Sequence, residues 1–213
     1  MDVLITGANR GIGAALLADY RASGYAAQGT ARNDPALLPL DVSDPASVRA
    51  LAKSLGNTPL PLLVCNAGIY LDKGHDLTAG FAPDLWGETF AVNVTGVFLT
   101  IQALLPNIRA ARGKIAIISS QMASQELAPG GSYIYRASKA AALNLGRNLA
   151  TDLKSEGIAV GIYHPGWVQT DMGGESAAVT PQDAARGLRT RFDALSPATT
   201  GCFETWDGRA HPL

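Results

Sequence analysis

Val3-Leu4-Ile5-Thr6-Gly7-Ala8-Asn9-Arg10-Gly11-Ile12-Gly13 decides the fold. A short apolar run, residues 2–6, reads as a strand. Residues 12–23 follow with Ile12, Leu16, Leu17 and Tyr20 at helical spacing, and Gly24 ends them. Gly7-x-x-x-Gly11-x-Gly13 therefore lies between a strand and a helix, the setting a nucleotide-binding glycine loop requires. One glycine permits the tight turn out of the strand. Another lets a pyrophosphate approach bare backbone, and the last lets helix pack closely on strand. The helix N-terminus then offers free N–H groups and the positive end of its dipole to an anion.

The same alternation continues to the end of the chain. Residues 25–30, 37–42, 60–65, 113–119 and 158–163 read as strands, and 202–206 as a last one. Between them, 45–55, 83–108 and 132–156 have helical spacing. Asp44 before Pro45, and Thr180 before Pro181, are expected N-caps. Continuously apolar strands, each followed by a helix, imply a parallel sheet covered on both faces. The expected fold is α/β: a Rossmann-like, doubly wound sheet of about seven strands. Residues 1–213 are expected to form a single domain that carries both nucleotide-binding and catalytic sites. The pattern does not give the strand order.

Composition narrows the function. The formal net charge is −1 and no Lys/Arg run occurs, which argues against nucleic acid as a partner. Cys65 and Cys202 sit in apolar runs and read as buried small hydrophobes in a reducing compartment. The chain opens on a strand-like run, so no signal peptide is expected. Its longest apolar segments are broken by polar residues and Gly, so no transmembrane segment and no membrane partner are expected. The expected location is cytoplasmic. No metal site is expected: His164 has no second His or Cys at ligand spacing, and His75 and His211 stand alone in the sequence.

Tyr135-Arg136-Ala137-Ser138-Lys139 carries the chemistry. A Tyr and a Lys four residues apart share one helix face. An ammonium beside a phenol favours the phenolate and lowers the phenol's pKa. Such a pair can exchange a proton near neutral pH.

Taken together these residues resemble the short-chain dehydrogenase/reductase family, over almost the whole chain. Residues 6–13 are similar to its TGxxxGxG loop, and Asn66-Ala67-Gly68 to its NAG motif. Asn93 is similar to the helix Asn of its catalytic tetrad. Ser119-Ser120 stands where the family has its catalytic Ser, and Tyr135 with Lys139 matches YxxxK. Pro165-Gly166-Trp167-Val168-Gln169-Thr170 matches its PG motif and downstream Thr. The carbonyl-reductase-like and C-factor-like members are the most similar subgroup.

The resemblance implies four catalytic residues. Tyr135 would protonate the substrate oxygen as hydride arrives, or deprotonate an alcohol in reverse. Lys139 would lower the Tyr135 pKa and hold the nicotinamide ribose. Ser120 would polarise the carbonyl, with Ser119 and Ser124 as rivals, and Asn93 would hold a water linking Lys139 to solvent. Cofactor contacts would come from Gly7, Asn9, Arg10, Gly11, Ile12 and Gly13, from Asn66, Ala67 and Gly68, and from Pro165, Gly166, Val168 and Thr170, besides Tyr135 and Lys139.

The second strand ends Gly29-Thr30-Ala31-Arg32, with Ala31 at the position of the acid that selects NAD. Arg32 and Arg10 are therefore expected to flank the 2′-phosphate of NADP, which is favoured over NAD. Asp34 would reach the ribose if the alignment shifted. Asp41 resembles the residue that meets the adenine; capping the next turn is the alternative.

The expected substrate is a small carbonyl compound or alcohol, selected by loops 69–82, 121–132 and 166–180. Gly173-Gly174 is expected to act as a hinge in the last loop. Met122, Tyr133, Trp167 and Met172 are candidates for an apolar pocket. Helices 83–108 and 132–156 are apolar around most of their circumference and are expected to be buried; the resemblance, in whose family the equivalent helices pair across a two-fold, implies a homodimer or homotetramer. The rival function is a non-catalytic cofactor sensor or signalling protein on the same fold.

Overall fold

The computed structural model describes residues 1–213. Seven parallel strands form one sheet in the order β3-β2-β1-β4-β5-β6-β7. They are β1 (Val3–Ile5), β2 (Ala27–Ala31), β3 (Leu38–Pro39), β4 (Leu62–Cys65), β5 (Lys114–Ile118), β6 (Ala159–His164) and β7 (Phe203–Thr205). The helices are α1 (Gly11–Ala22), α2 (Pro45–Leu55), α3 (Pro83–Phe90), α4 (Gly96–Ala111), α5 (Tyr133–Leu153) and α6 (Pro181–Ala194). The expected doubly wound fold is present, and the strand order reverses between β1 and β4. In sheets of this kind ligands bind outside the carboxyl ends of the strands at that reversal.

The sheet buries both faces because adjacent residues point to opposite sides. Leu4, Leu63, Ile115, Ile117 and Val160 face one core with α2, α4 and α5. Val3, Ile5, Val64, Ala116 and Ile118 face the other with α1 and α6, where Tyr20 and Phe192 are fully buried. Asp44 caps α2 by accepting from Ala46 N–H at 2.8 Å, and Thr180 caps α6 by accepting from Asp183 N–H at 3.1 Å. Both expected caps are present.

Three expectations need correction. The long helix from Pro83 is interrupted by one π turn, Ala91–Thr95, centred on Asn93. Asn93 donates to Ile69 O and Ser138 Oγ and accepts from Ile69 N–H, so its side chain supports the widened turn. Second, Pro83–Ala111 is 29 residues long and apolar enough to cross a membrane. Its polar residues do not lower the average enough to exclude that. In this fold the stretch serves as a core helix, with Val92, Val97, Ile101, Leu104 and Ile108 packed on the sheet. Third, Cys65 is buried as expected, but Cys202 is only half-buried, with its thiol 3.8 Å from the Tyr163 hydroxyl.

The loop at the α1 end of the sheet is fixed by contact. Gly7 has φ +65°, and a Cβ there would stand 2.9 Å from Ala67 Cα. A Cβ on Gly13 would stand 2.2 Å from the Gly7 carbonyl oxygen, so α1 can approach the loop only with glycine at this position. Asn66 ties the two together, its Nδ2 donating to Thr6 O and Gly7 O at 2.9 and 3.0 Å.

Along the same carboxyl edge of the sheet, His164 closes β6 and is buried. His211 is remote in sequence but not in space: the two rings stand 5.7 Å apart, and His211 also packs on Phe203. Burial, reinforced by His211, pulls the His164 imidazole from 6.5 down to about 4. The unfolded chain therefore takes up a proton near pH 6.5 that the folded chain refuses until about pH 4. Stability from this site is complete above pH 6.5 and is lost as pH falls toward 4. Between pH 6.5 and 5 the loss is about 2 kcal/mol at about 1.4 kcal/mol per pH unit. Urea unfolding at pH 7 and pH 5 is expected to show a pH dependence reduced by that amount in His164→Leu. An unreduced dependence in the variant would contradict it.

Candidate active site

The strand ends at the reversal bring three segments together. β4 runs into Asn66-Ala67-Gly68, β5 into Ser119-Ser120, and α5 begins at Tyr133. The Thr6 hydroxyl accepts from the N–H groups of Asn66 and Ala67, both at 3.0 Å, which holds the NAG segment against the glycine loop. A Cβ on Gly68 would meet Asn93 Oδ1 at 3.3 Å and Lys139 Nζ at 3.4 Å. Gly68, Asn93 and Lys139 are therefore neighbours.

Tyr135 and Lys139 lie on one face of α5, both buried, with Nζ 5.6 Å from the centre of the phenol ring. Lys139 Nζ donates to Ile118 O at 3.0 Å. The Ser119 hydroxyl donates to Lys139 O, which gives it a structural partner and removes it as a rival. Ser120 is the serine beside Tyr135, where its hydroxyl acts to lower the phenol's pKa. Its Oγ also accepts from Met122 N–H. Ser124 is turned to Leu213 O and Leu127 N–H.

The electrostatics differ from the expectation. Burial pushes the Tyr135 phenol well above its ordinary value, and neighbouring Tyr70 adds to the rise; only Ser120 opposes it. The Lys139 ammonium does not outweigh that burial. Burial also pulls the Lys139 ammonium from 10.5 down to about 8, and its hydrogen bond goes to a carbonyl rather than to the phenol. At neutral pH the phenol is uncharged and is therefore a proton donor.

Asn93 is brought to Lys139 as expected, yet both N–H donors of its side chain are used within the protein.

The phosphate end of the site is open. α1 starts at Gly11 with no side-chain cap and no acid in its first turn. Its leading N–H groups lack intrahelical acceptors, and they face no competing carboxylate of their own turn. Gly11 approaches Thr170, whose Cγ2 a Cβ would meet at 3.2 Å. Arg10 and Arg32 line two different depressions. Arg10 is paired with Asp171 at 2.8 Å, both side chains exposed, and lines a depression with Gln169 and Gln182. Arg32 lines a separate hollow with Asn33, Asp34 and Pro39, free of ion pairs. Asp34 accepts from Ala36 N–H and so closes its own turn. Asp41 accepts from the N–H and the hydroxyl of Ser43, which hold its carboxyl below the usual range. Asp41 therefore caps the next turn through one carboxylate oxygen.

The loop after β6 is more ordered than expected. Val168 is buried and bridges to Val179 in parallel register. Gly173 donates to Thr170 Oγ1 and accepts from Trp167 Nε1. Gly173 is therefore held at both polar groups, and Gly174 beside it has φ +83°. Tyr133, Trp167 and Met172 are exposed.

Two residues escaped the sequence reading. Tyr70 stacks on Tyr135 with centroids 4.3 Å apart, and Asp72, fully buried, accepts from the N–H groups of Ile134 and Tyr135. No local signal marks them, because both act across 62 or more positions of sequence.

Comparison with known proteins agrees with this architecture. The short chain dehydrogenase family model matches residues 2–180. The chain is 36% identical to C-signal of Myxococcus xanthus over 170 residues, covering 78% of this chain and 99% of that protein. It is 36% identical to 1-hydroxy-2-glutathionyl-2-methyl-3-butene dehydrogenase of Rhodococcus over 177 residues, covering 79% and 76%. The NADPH-bound carbonyl reductase from chicken fatty liver superposes with a TM-score of 0.89 at 29% identity, covering 100% of this chain and 98% of that one. A match across this span, with a seven-stranded sheet of the same architecture, means that the chain belongs to the short-chain dehydrogenase/reductase family of oxidoreductases.

Proposed function

We propose that this protein is an NADP-dependent reductase of carbonyl compounds, working in reverse on alcohols, with Tyr135 as general acid. The observation that carries this reading is the un-ionised, buried Tyr135 phenol held beside Ser120 and Lys139, next to the open glycine loop. One unit, residues 1–213, would supply both cofactor site and catalytic groups. When bound, the nicotinamide supplies or accepts the hydride. Tyr135 Oη gives its proton to the carbonyl oxygen as negative charge develops there. Ser120 Oγ donates a hydrogen bond to the same oxygen, where charge develops most. The Lys139 ammonium, mostly protonated at pH 7, stabilises the phenolate that proton transfer leaves behind. Asn93 holds the helix that faces Lys139.

The pyrophosphate would rest on the uncapped first turn of α1, with Asn9, Gly11, Ile12 and Gly13 supplying backbone. The NAG segment, Asp41 and the run Pro165, Gly166, Val168 and Thr170 would line the remainder. Arg32, exposed and free of ion pairs, is the residue that would take the 2′-phosphate. Arg10 would join it by leaving Asp171, an exposed pair whose loss costs at most about 1 kcal/mol.

A second reading, a cofactor-binding signalling protein without turnover, draws on the identity to the protein named C-signal. A binding-only protein has no use for a proton donor at this position, so the Ser–Tyr–Lys set favours the enzyme. Assembly into a homodimer or homotetramer is supported by Phe98, exposed on the apolar helix α4, with Leu145 and Leu149 only partly covered on α5.

Three measurements test this reading. NADPH oxidation with a panel of ketones, aldehydes and quinones is expected to proceed, and Tyr135→Phe to lower kcat by about 10²- to 10⁴-fold with NADPH binding retained. Unchanged turnover in the variant would eliminate Tyr135 as the acid. No turnover by the parent on the whole panel, with tight NADPH binding, would favour the sensor. Arg32→Ala is expected to weaken NADPH binding about ten-fold or more, the loss of one charge-assisted pair, and to leave NADH binding unchanged; equal NADPH and NADH affinities in the parent would defeat the assignment. In sedimentation, the parent is expected at dimer mass or above and Phe98→Asp at a lower mass; a monomeric parent would rule the assembly out.

A further inference from the structure

Tyr135 is the third residue of α5. It therefore belongs to the turn whose N–H groups have no acceptor within the helix. The residue at the N-cap position does not supply one. Ser132 has a left-handed backbone, φ 49°, and makes no capping bond. Its hydroxyl is paired instead with the Tyr70 hydroxyl. The acceptor comes from the loop after β4. Asp72 takes the Ile134 N–H on one carboxylate oxygen at 2.8 Å and the Tyr135 N–H on the other at 3.2 Å. It has no exposed surface and no Lys, Arg or His at ion-pair distance.

A carboxylate withdrawn from water without a cation must be stabilised by what it faces. Here that is the positive end of α5 and its two leading amides. The same loop also touches the side chain: the Tyr70 ring lies on the Tyr135 ring at 4.3 Å and 25°. Backbone and ring of one residue are thus both held from residues 70–72.

We propose that Asp72 is a positioning residue for proton transfer, fixing the first turn of α5 so that the Tyr135 hydroxyl stays aimed at the substrate oxygen, with Tyr70 backing the ring. This rests on Tyr135 being the proton donor. A side chain on a helix follows the backbone of its own turn. If that turn frays, the hydroxyl moves by an ångström or more, and misplacement of that order slows a reaction about 100-fold. The cofactor loop lies on other elements and is untouched.

The test compares Asp72→Ala, Asp72→Asn and the parent. kcat and the KM for NADPH are measured together with amide hydrogen exchange along α5. Asp72→Ala is expected to lower kcat about 10- to 100-fold and to leave the KM for NADPH within about two-fold of the parent. Exchange is expected to rise in residues 133–136 and to stay slow over the rest of α5. Asp72→Asn keeps one acceptor and is expected to recover part of kcat. Parental kcat in a folded Asp72→Ala, or parental exchange at that turn, would overturn the proposal. If the alanine variant does not fold, the asparagine variant carries the same two outcomes. A parent without carbonyl turnover would defeat the reading of Tyr135 as donor; the exchange result would then decide alone whether Asp72 fixes the turn.

Discussion

The close approach of α1 to the end of β1 is the constraint on which the site depends. A single Cβ at Gly13 would overlap the Gly7 carbonyl oxygen, so the helix can start where it does only with that carbon missing. Asn66 then joins both turns of the loop through one amide group. The clasp has two consequences. It aims the uncapped start of α1 across the strand ends, and it fixes the NAG segment that leads into Gly68. Gly68 in turn leaves room for Lys139 and Asn93. The anion end and the proton-transfer end of the site thus share one set of hydrogen bonds, from Thr6 and Asn66. Interiors packed this closely do not deform gradually, so a change in the clasp itself, at Thr6 or Asn66, is felt at both ends.

Burial moves the two titrating groups in opposite directions. It raises Tyr135 and lowers Lys139, because each loses water around its charged form. The pair therefore sits closer to neutral phenol and weakened ammonium than a Tyr–Lys motif suggests on paper. For carbonyl reduction this is the useful starting state: the proton is on the phenol before the reaction and the ammonium gains a partner after it. Oxidation of an alcohol needs the phenolate first. Under the proposed function, a positive ring bound nearby would add to the attraction of Ser120 and Lys139, which alone do not outweigh burial.

The sequence made legible whatever is local. Glycine spacing between a strand and a helix, the Asp44 and Thr180 caps, and the shared face of Tyr135 and Lys139 all depend on neighbours within one or two turns. What it concealed is remote. Strand order follows from which edges pair, and the apolar runs alone do not encode that. The π turn arises because Asn93 reaches across to Ile69 and Ser138. Asp72 caps a helix that begins 61 positions later, where Ser132 at the local cap position gives a misleading signal. The upward shift of Tyr135 is hidden for the same reason: a motif lists a neighbour's charge but not the depth of burial.

Arg10 shows how such a local reading can be displaced by a distant partner. Its place before Gly11 suits a phosphate, and chemistry gives it no better exposed anion than Asp171, which arrives from the loop after β6. Both side chains remain largely in water, so the pair is weak. A dianionic phosphate offers a guanidinium a stronger, bidentate partner than one solvated carboxylate. On the proposed function, Arg10 would exchange Asp171 for phosphate with at most about 1 kcal/mol lost from the broken pair. The loop after β6 would keep its shape, because the Trp167 and Thr170 side chains hold it on Gly173 independently of that pair.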